Sequence, residues 1–136
     1  MRYQRDSQGT NDCSQKANMR IVIADDHEIF RRGLRSLLES HPGWEVTGEA
    51  ADGVQAVEQV LQLKPDVTVL DVSMPGLNGL DAMRQLLKSQ PDLKVVILSQ
   101  YEPAFLERSA LEAGAKAYLT KTDVGQRLIR AIEEIV

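Results

Sequence analysis

The chain predicts an α/β fold, a doubly wound, five-stranded parallel sheet, and three observations carry that prediction. From Met19 onward, strand and helix signals alternate five times. The strand signals Ile21-Val22-Ile23, Val67-Thr68-Val69-Leu70 and Val95-Val96-Ile97-Leu98 are short, continuous and rich in β-branched residues. That is the pattern of strands buried on both faces of a parallel sheet. The segments between them carry apolar residues at helical spacing, as helices that cover both faces of such a sheet must. Periodicity alone does not give the strand order.

Each element follows from local signals. The first strand, Arg20 to Ala24, runs into Asp25-Asp26. Ile29, Phe30, Gly33, Leu34, Leu37 and Leu38 then recur at helical spacing until His41-Pro42-Gly43 stops the helix. Trp44 to Ala51 alternates loosely and reads as a second strand. Asp52 is placed to cap a helix showing Val54, Val57, Val60 and Leu61. The third strand delivers Asp71 to its carboxyl end, and Met74-Pro75-Gly76 forces a loop, since proline lacks a donor and biases Met74 away from helical angles. Asn78 opens a helix with Leu80, Met83, Leu86 and Leu87, broken by Ser89-Gln90-Pro91-Asp92. The fourth strand, from Lys94, ends in Ser99. Pro103 suits the first turn of the next helix and Gly114 its C-terminal cap, although Ala104 to Ala113 is poorly patterned. Lys116-Ala117-Tyr118-Leu119 is the fifth strand and reaches Lys121 two residues later. Val124, Leu128, Ile129, Ile132 and Ile135 mark a last helix.

Residues 1–18 hold little to bury and are expected to be a flexible or appended tail, leaving 19–136 as one domain. A length of 136 residues suffices for one core without staples. A net charge of −4 argues against a nucleic-acid surface on this piece. Cys13 has no partner for an internal disulfide, which suits a reducing compartment. No apolar stretch approaches the roughly 18 residues that span a bilayer. Met1 to Asn18 has no apolar core of a secretory signal, so the expected location is the cytoplasm.

In an open α/β sheet, ligands bind in the crevice outside the carboxyl ends of the strands. Four strands each hand a polar group to that edge: Asp25-Asp26, Asp71, Ser99 and Lys121. Each has a plainer alternative. One aspartate of the pair could cap the following helix, Asp71 and Ser99 could cap their loops, and Lys121 could be a solvated loop lysine. Together they describe something more specific. Three carboxylates near 4 Å repel by about 4 kcal/mol per pair at an effective dielectric of 20, so the cluster calls for a counter-charge. Oxygen ligands of this kind favour Mg²⁺. A carboxylate can attack phosphorus to form an acyl phosphate, and phosphoryl transfer chiefly needs positioning and charge neutralisation. Lys121 is a suitable point charge for one phosphoryl oxygen, and the Ser99 hydroxyl can donate to another. His27 and His41 lack partners at metal spacing, and Trp44 after its turn reads as packing.

The ordered set, Asp-Asp after the first strand, Asp71 with Met-Pro-Gly, Ser99 after the fourth strand and Lys121 after the fifth, resembles the receiver domain of two-component response regulators over about residues 19 to 136. Ile23-Ala24-Asp25-Asp26-His27, Arg31-Arg32-Gly33-Leu34 and Leu98-Ser99-Gln100-Tyr101 resemble the NarL/FixJ-type subgroup. The resemblance implies the flavodoxin-like strand order 2-1-3-4-5 and Asp71 as phospho-acceptor for a sensor histidine kinase. It assigns Asp26 to Mg²⁺ directly, Asp25 through water, and Asp71 and the Ser73 carbonyl as further ligands. It also implies a switch in which Ser99 moves toward the phosphoryl group and Tyr118 rotates into the space vacated. Such a chain is a signalling phospho-acceptor, catalysing only its own phosphotransfer and dephosphorylation. A homodimer is among its implied partners, and DNA only through a C-terminal helix-turn-helix domain absent from this chain.

Three other classes compete. A flavin carrier of similar topology needs a phosphate loop after the first strand, where Asp25-Asp26-His27-Glu28 would repel a phosphate without metal. An aspartyl-phosphate phosphatase commonly has an acid two residues after its nucleophile, where this chain has Ser73. An inert, docking-only domain does not account for the complete set of site residues.

Overall fold

The computed structural model describes residues 19–100 and 104–136; the expectations for the tail and for Pro103 lie outside them. The elements run β1 (Met19–Ala24), α1 (Glu28–Glu39), β2 (Trp44–Ala50), α2 (Gly53–Leu63), β3 (Val67–Asp71), α3 (Gly79–Ser89), β4 (Lys94–Ser99), α4 (Ala104–Glu112), β5 (Ala117–Thr120) and α5 (Val124–Ile135), with a short 3₁₀ turn, Lys121–Asp123, before α5. All strand pairs are parallel, in the order β2-β1-β3-β4-β5. This is the order the resemblance implied, with β1 and β3 side by side at the centre.

Alternation along each strand builds two cores. Ile21, Ile23, Val67, Val69, Val96 and Leu98 face one side, where Leu34 and Leu38 of α1 and Val124, Leu128 and Ile132 of α5 cover them. Val22, Ala24, Leu70, Val95 and Ile97 face the other, beneath Ala56 and Val60 of α2, Ala82, Met83 and Leu86 of α3, and Ala110 of α4. Successive strand side chains point to opposite faces, so a run apolar at every position must be covered twice.

The predicted caps are present. The Asp52 side chain accepts from the Gln55 amide at 2.8 Å, and the Asn78 side chain accepts from the Asp81 amide at 2.9 Å. The buried faces of two helices differ from expectation. Ile29 is 85% exposed, and in α2 Val54 and Leu61 are exposed while Ala56 and Val60 are buried. In α2 the reason is close approach: a Cβ on Gly53 would stand 1.8 Å from the Leu77 carbonyl oxygen, so Gly53 and Ala56 turn inward beside Val60 and the neighbouring Val54 turns outward. In α4, Phe105 is exposed, in keeping with its weak pattern.

Candidate functional site

The site forms where four strands end. Asp25 follows β1 directly, and its amide donates to the Ala50 carbonyl at 3.0 Å, so the chain leaves the sheet one residue later than the strand does. Its side chain is fully buried, whereas Asp26 keeps its side chain partly exposed. Asp71 ends β3 beside them and is also buried. Lys121 opens the 3₁₀ turn after β5 and extends back across the sheet edge. Its Nζ lies 2.8 Å from Asp25 Oδ2 and donates to Asp71 Oδ2 at 3.1 Å. Lys121 thus bridges two buried carboxylates from two different strands.

The backbone holds these acids as well. The Ser73 amide donates to Asp71 Oδ1 at 3.2 Å, and the His27 amide donates to Asp25 Oδ1 at 2.8 Å. Gly79 lets the loop after β3 close: a Cβ there would meet the Asp71 carbonyl oxygen at 2.2 Å. Ser99 lies at the end of β4, buried, one residue beyond Leu98, the sheet partner of Asp71. Tyr118 is half-buried in β5 opposite Ile97, packed against the core beneath α2, α3 and α4, outside the acidic group.

Burial, and then the charge of Asp25, pushes the Asp71 carboxyl above the usual aspartate range. Burial pulls the Lys121 ammonium down, but the close carboxylates of Asp25 and Asp71 outweigh that, leaving it above the ordinary lysine value and charged at neutral pH. Ligand atoms of Asp25, Asp26, His27 and Asp71 all lie within 4.8 Å of one another. Asp25 Oδ2 is buried and accepts no hydrogen bond of good geometry; the Lys121 ion pair is what it has. Three carboxylates set against one ammonium leave an excess of negative charge. An oxygen-rich donor set of this kind fits a small, hard divalent cation.

Asp25, Asp26, Asp71 and Lys121, proposed from separate strand ends, therefore meet. Sequence reasoning passed over four neighbours. The His27 ring approaches both aspartates, Nδ1 lying 3.3 Å from Asp25 Oδ1 and 3.3 Å from Asp26 Oδ1. The Phe30 ring lies 4.6 Å from the Lys121 ammonium, a cation–π contact. Arg31 donates to the Asp25 carbonyl at 2.6 Å and to Glu49 at 2.9 Å. Phe30, Arg31 and Glu49 read as ordinary strand and helix positions, and His27 has no histidine or cysteine partner at metal spacing; only the fold turns all four toward the site. A cleft of about 750 Å³ lies elsewhere, at the opposite end of the sheet beside Met19, Lys64, Pro65 and Val136.

Comparison with known proteins agrees with this fold. The family model described as "Response regulator receiver domain" matches residues 21–133. Oxygen regulatory protein NreC of Staphylococcus carnosus (strain TM300) is 41% identical over 118 residues, covering 86% of this chain and 54% of that protein. A protein-glutamate methylesterase/protein-glutamine glutaminase of Alkalilimnicola ehrlichii (strain ATCC BAA-1101 / DSM 17681 / MLHE-1) is 43% identical over 104 residues, 76% of this chain but only 27% of that protein. Among solved structures, a two-component response regulator of the LuxR family from Aurantimonas sp. SI85-9A1 superposes with a TM-score of 0.84 at 35% identity, covering 88% of this chain and 85% of that one. The chain spans about half the length of the curated regulatory relatives it matches. With the strand order, the convergent acids and these matches in hand, the chain belongs to the response regulator receiver domain family, and its relatives include regulators of the NarL/LuxR type.

Proposed function

We propose that this domain accepts a phosphoryl group from a sensor histidine kinase onto Asp71, with Mg²⁺, and passes the change to an output. The observation that carries the reading is Lys121 reaching two buried carboxylates at once, Asp25 and Asp71. An Asp71 carboxylate oxygen attacks phosphorus, the P–N bond to the donor histidine breaks, and the imidazole leaves with the electron pair. Lys121 already stands against the attacking carboxylate and meets the negative charge gathering on the phosphoryl oxygens. Ser99, at the adjacent strand end, donates to another of them. The cation would be held by Asp25, Asp26, Asp71 and the Ser73 carbonyl, and when bound it supplies neutralisation of phosphoryl charge.

The output is read from relatives. DegU of Brevibacillus brevis and LiaR of Bacillus subtilis (strain 168), 53% and 54% of whose lengths are covered, are named as transcriptional regulatory proteins, which supports control of transcription through a DNA-binding segment beyond this domain. The methylesterase relative carries a similar domain with a different activity, so promoter binding by the longer protein is the test of this output. A homodimer is among the partners proposed for it. Among the described residues no helix is long and apolar enough to cross a membrane. The cytoplasm, where a kinase could meet it, is the proposed location.

The phosphorylation reading is tested by incubating the protein with a small acyl-phosphate donor, with and without Mg²⁺, and measuring intact mass. A gain of one phosphoryl group that requires Mg²⁺ and vanishes in Asp71→Asn is the expected result, because Asn keeps the shape and loses the nucleophile. Equal uptake by Asp71→Asn would overturn the assignment.

A further inference from the structure

Arg31 sits in the first half of α1, yet its guanidinium turns back on the loop that precedes the helix. One nitrogen donates to the Asp25 carbonyl at 2.6 Å and Nε donates to Glu49 Oε1 at 2.9 Å, with Arg31 only 17% and Glu49 26% exposed. Glu49 stands near the end of β2, the strand paired with β1, and also binds Arg35 one turn further along α1. Bonds from these two arginines outweigh the cost of its burial and hold the Glu49 carboxyl below the usual glutamate range. The Asp25 carbonyl belongs to the peptide that joins Asp25 to Asp26. A planar fork that grips this peptide at one end and an anchored carboxylate at the other fixes the direction in which Asp26 leaves the strand.

We propose that Arg31 is a positioning residue for the divalent-cation site, with Glu49 as its anchor. Arg31 holds the Asp25–Asp26 peptide so that the two carboxylates converge with Asp71. Glu49 keeps the guanidinium on that peptide and away from the acids, where it would compete with a cation. The proposal rests on the cation-site reading above, and it opposes a simpler expectation. A cation so close to a metal site should repel the metal, so by charge alone removal of Arg31 would tighten binding. Positioning gives the opposite sign, and it also distinguishes Arg from Lys, which keeps the charge and loses the fork.

Mg²⁺ affinity of the full chain, measured by calorimetry at a temperature where every variant is folded, separates these accounts. Losing a group that orients a metal ligand costs roughly 10–100-fold in affinity. Arg31→Lys and Arg31→Ala should each bind Mg²⁺ about tenfold more weakly, and Glu49→Gln should be weakened in the same direction. Arg35→Ala removes the other arginine on Glu49, which makes no bond to the Asp25 carbonyl, and should stay within about twofold of wild type. Unchanged or tighter binding by Arg31→Lys overturns the proposal, as does equal weakening by Arg35→Ala, which would mean general anchoring of α1. Amide exchange in the metal-free protein provides a second readout: the His27 amide should exchange faster in Arg31→Lys than in wild type, relative to amides of β3. If wild type binds no Mg²⁺, the cation-site reading fails, and unaltered exchange at His27 would separately refute positioning.

Discussion

At the residue scale, the site combines opposed electrostatic demands. Asp71 is destabilised as an anion by burial and by Asp25, while Glu49 is stabilised as an anion by Arg31 and Arg35 despite its burial. The two should leave opposite marks on stability. For Asp71 the folded pKa is raised, so between the unfolded value near 4 and the folded value the native state binds more protons, and stability falls as pH rises through that window. Asp71→Asn should therefore be more stable than wild type in metal-free buffer, by on the order of 1 kcal/mol near pH 7, with the advantage shrinking as pH falls toward 4. For Glu49 the folded pKa is lowered, so its contribution is present above the unfolded value and is lost as pH falls through the folded one. Glu49→Gln should cost about 1 kcal/mol near pH 7, discounted for partial exposure, and progressively less in acid. Urea midpoints of the three proteins from about pH 2 to 7 check both signs: the Asp71→Asn advantage should grow above about pH 4 and the Glu49→Gln deficit should shrink below it, and curves parallel to wild type across the whole range would contradict the electrostatic account. Lys121 is held by Asp25, Asp71 and the Phe30 ring together. Lys121→Met leaves two buried carboxylates facing each other and should cost roughly 3–5 kcal/mol, a loss that urea melts would record and added Mg²⁺ would partly restore.

At the element scale, two glycines in helices separate packing from propensity. Nothing lies within 4 Å of a Cβ built on Gly33, an exposed position in the middle of α1. Gly33→Ala should stabilise the domain by about 0.5–1 kcal/mol, because alanine loses less entropy in a helix and strains nothing here. Gly79 opens α3, and its Cβ would collide with the Asp71 carbonyl oxygen and carbon at 2.2 and 2.8 Å. These are backbone atoms that cannot step aside. Gly79→Ala should cost roughly 1–3 kcal/mol and slow phosphoryl uptake, since relief of the clash moves the strand end that carries Asp71. Thermal melts of both variants, with mass spectrometry on the second, test the pair. A neutral Gly79→Ala would show that the loop after β3 is looser than its packing implies.

At the scale of the whole molecule, the question is how a charge at one edge of the sheet reaches a surface. Ser99 ends β4 beside Thr120 of β5, and Tyr118 lies two residues back on β5, half-buried against the core beneath α2, α3 and α4. In α4, Ala110 is the only buried residue among the described side chains, so this helix rests on little and can shift at modest cost. If Ser99 moves toward a phosphoryl group on Asp71, the β4–α4–β5 face should loosen or repack. Beryllofluoride should then change amide exchange across residues 104–120 in wild type and much less in Ser99→Ala. Identical responses would remove Ser99 from the coupling.

The same scale separates what the chain sequence determined from what tertiary structure decided. The alternation of strand and helix signals, the Asp52 and Asn78 caps and the placing of Asp25, Asp71, Ser99 and Lys121 at strand ends were all readable along the chain. They depend on local geometry: two-fold alternation, cap chemistry and the point where an apolar run stops. The family resemblance supplied the strand order that periodicity could not. The buried face of α2 was legible only in part: Val57 and Val60 pack inward as expected, but Val54 and Leu61 face outward, because Gly53 and Ala56 turn inward only when the Leu77 loop presses against the helix. Arg31, Glu49 and Phe30 could not be read as site neighbours, because their roles exist only once β2 lies beside β1 and α1 folds back over that edge. Which residues stand at strand ends is a property of short segments. Which side chains grip those ends is a property of contacts between elements far apart in sequence, and only the assembled sheet creates them.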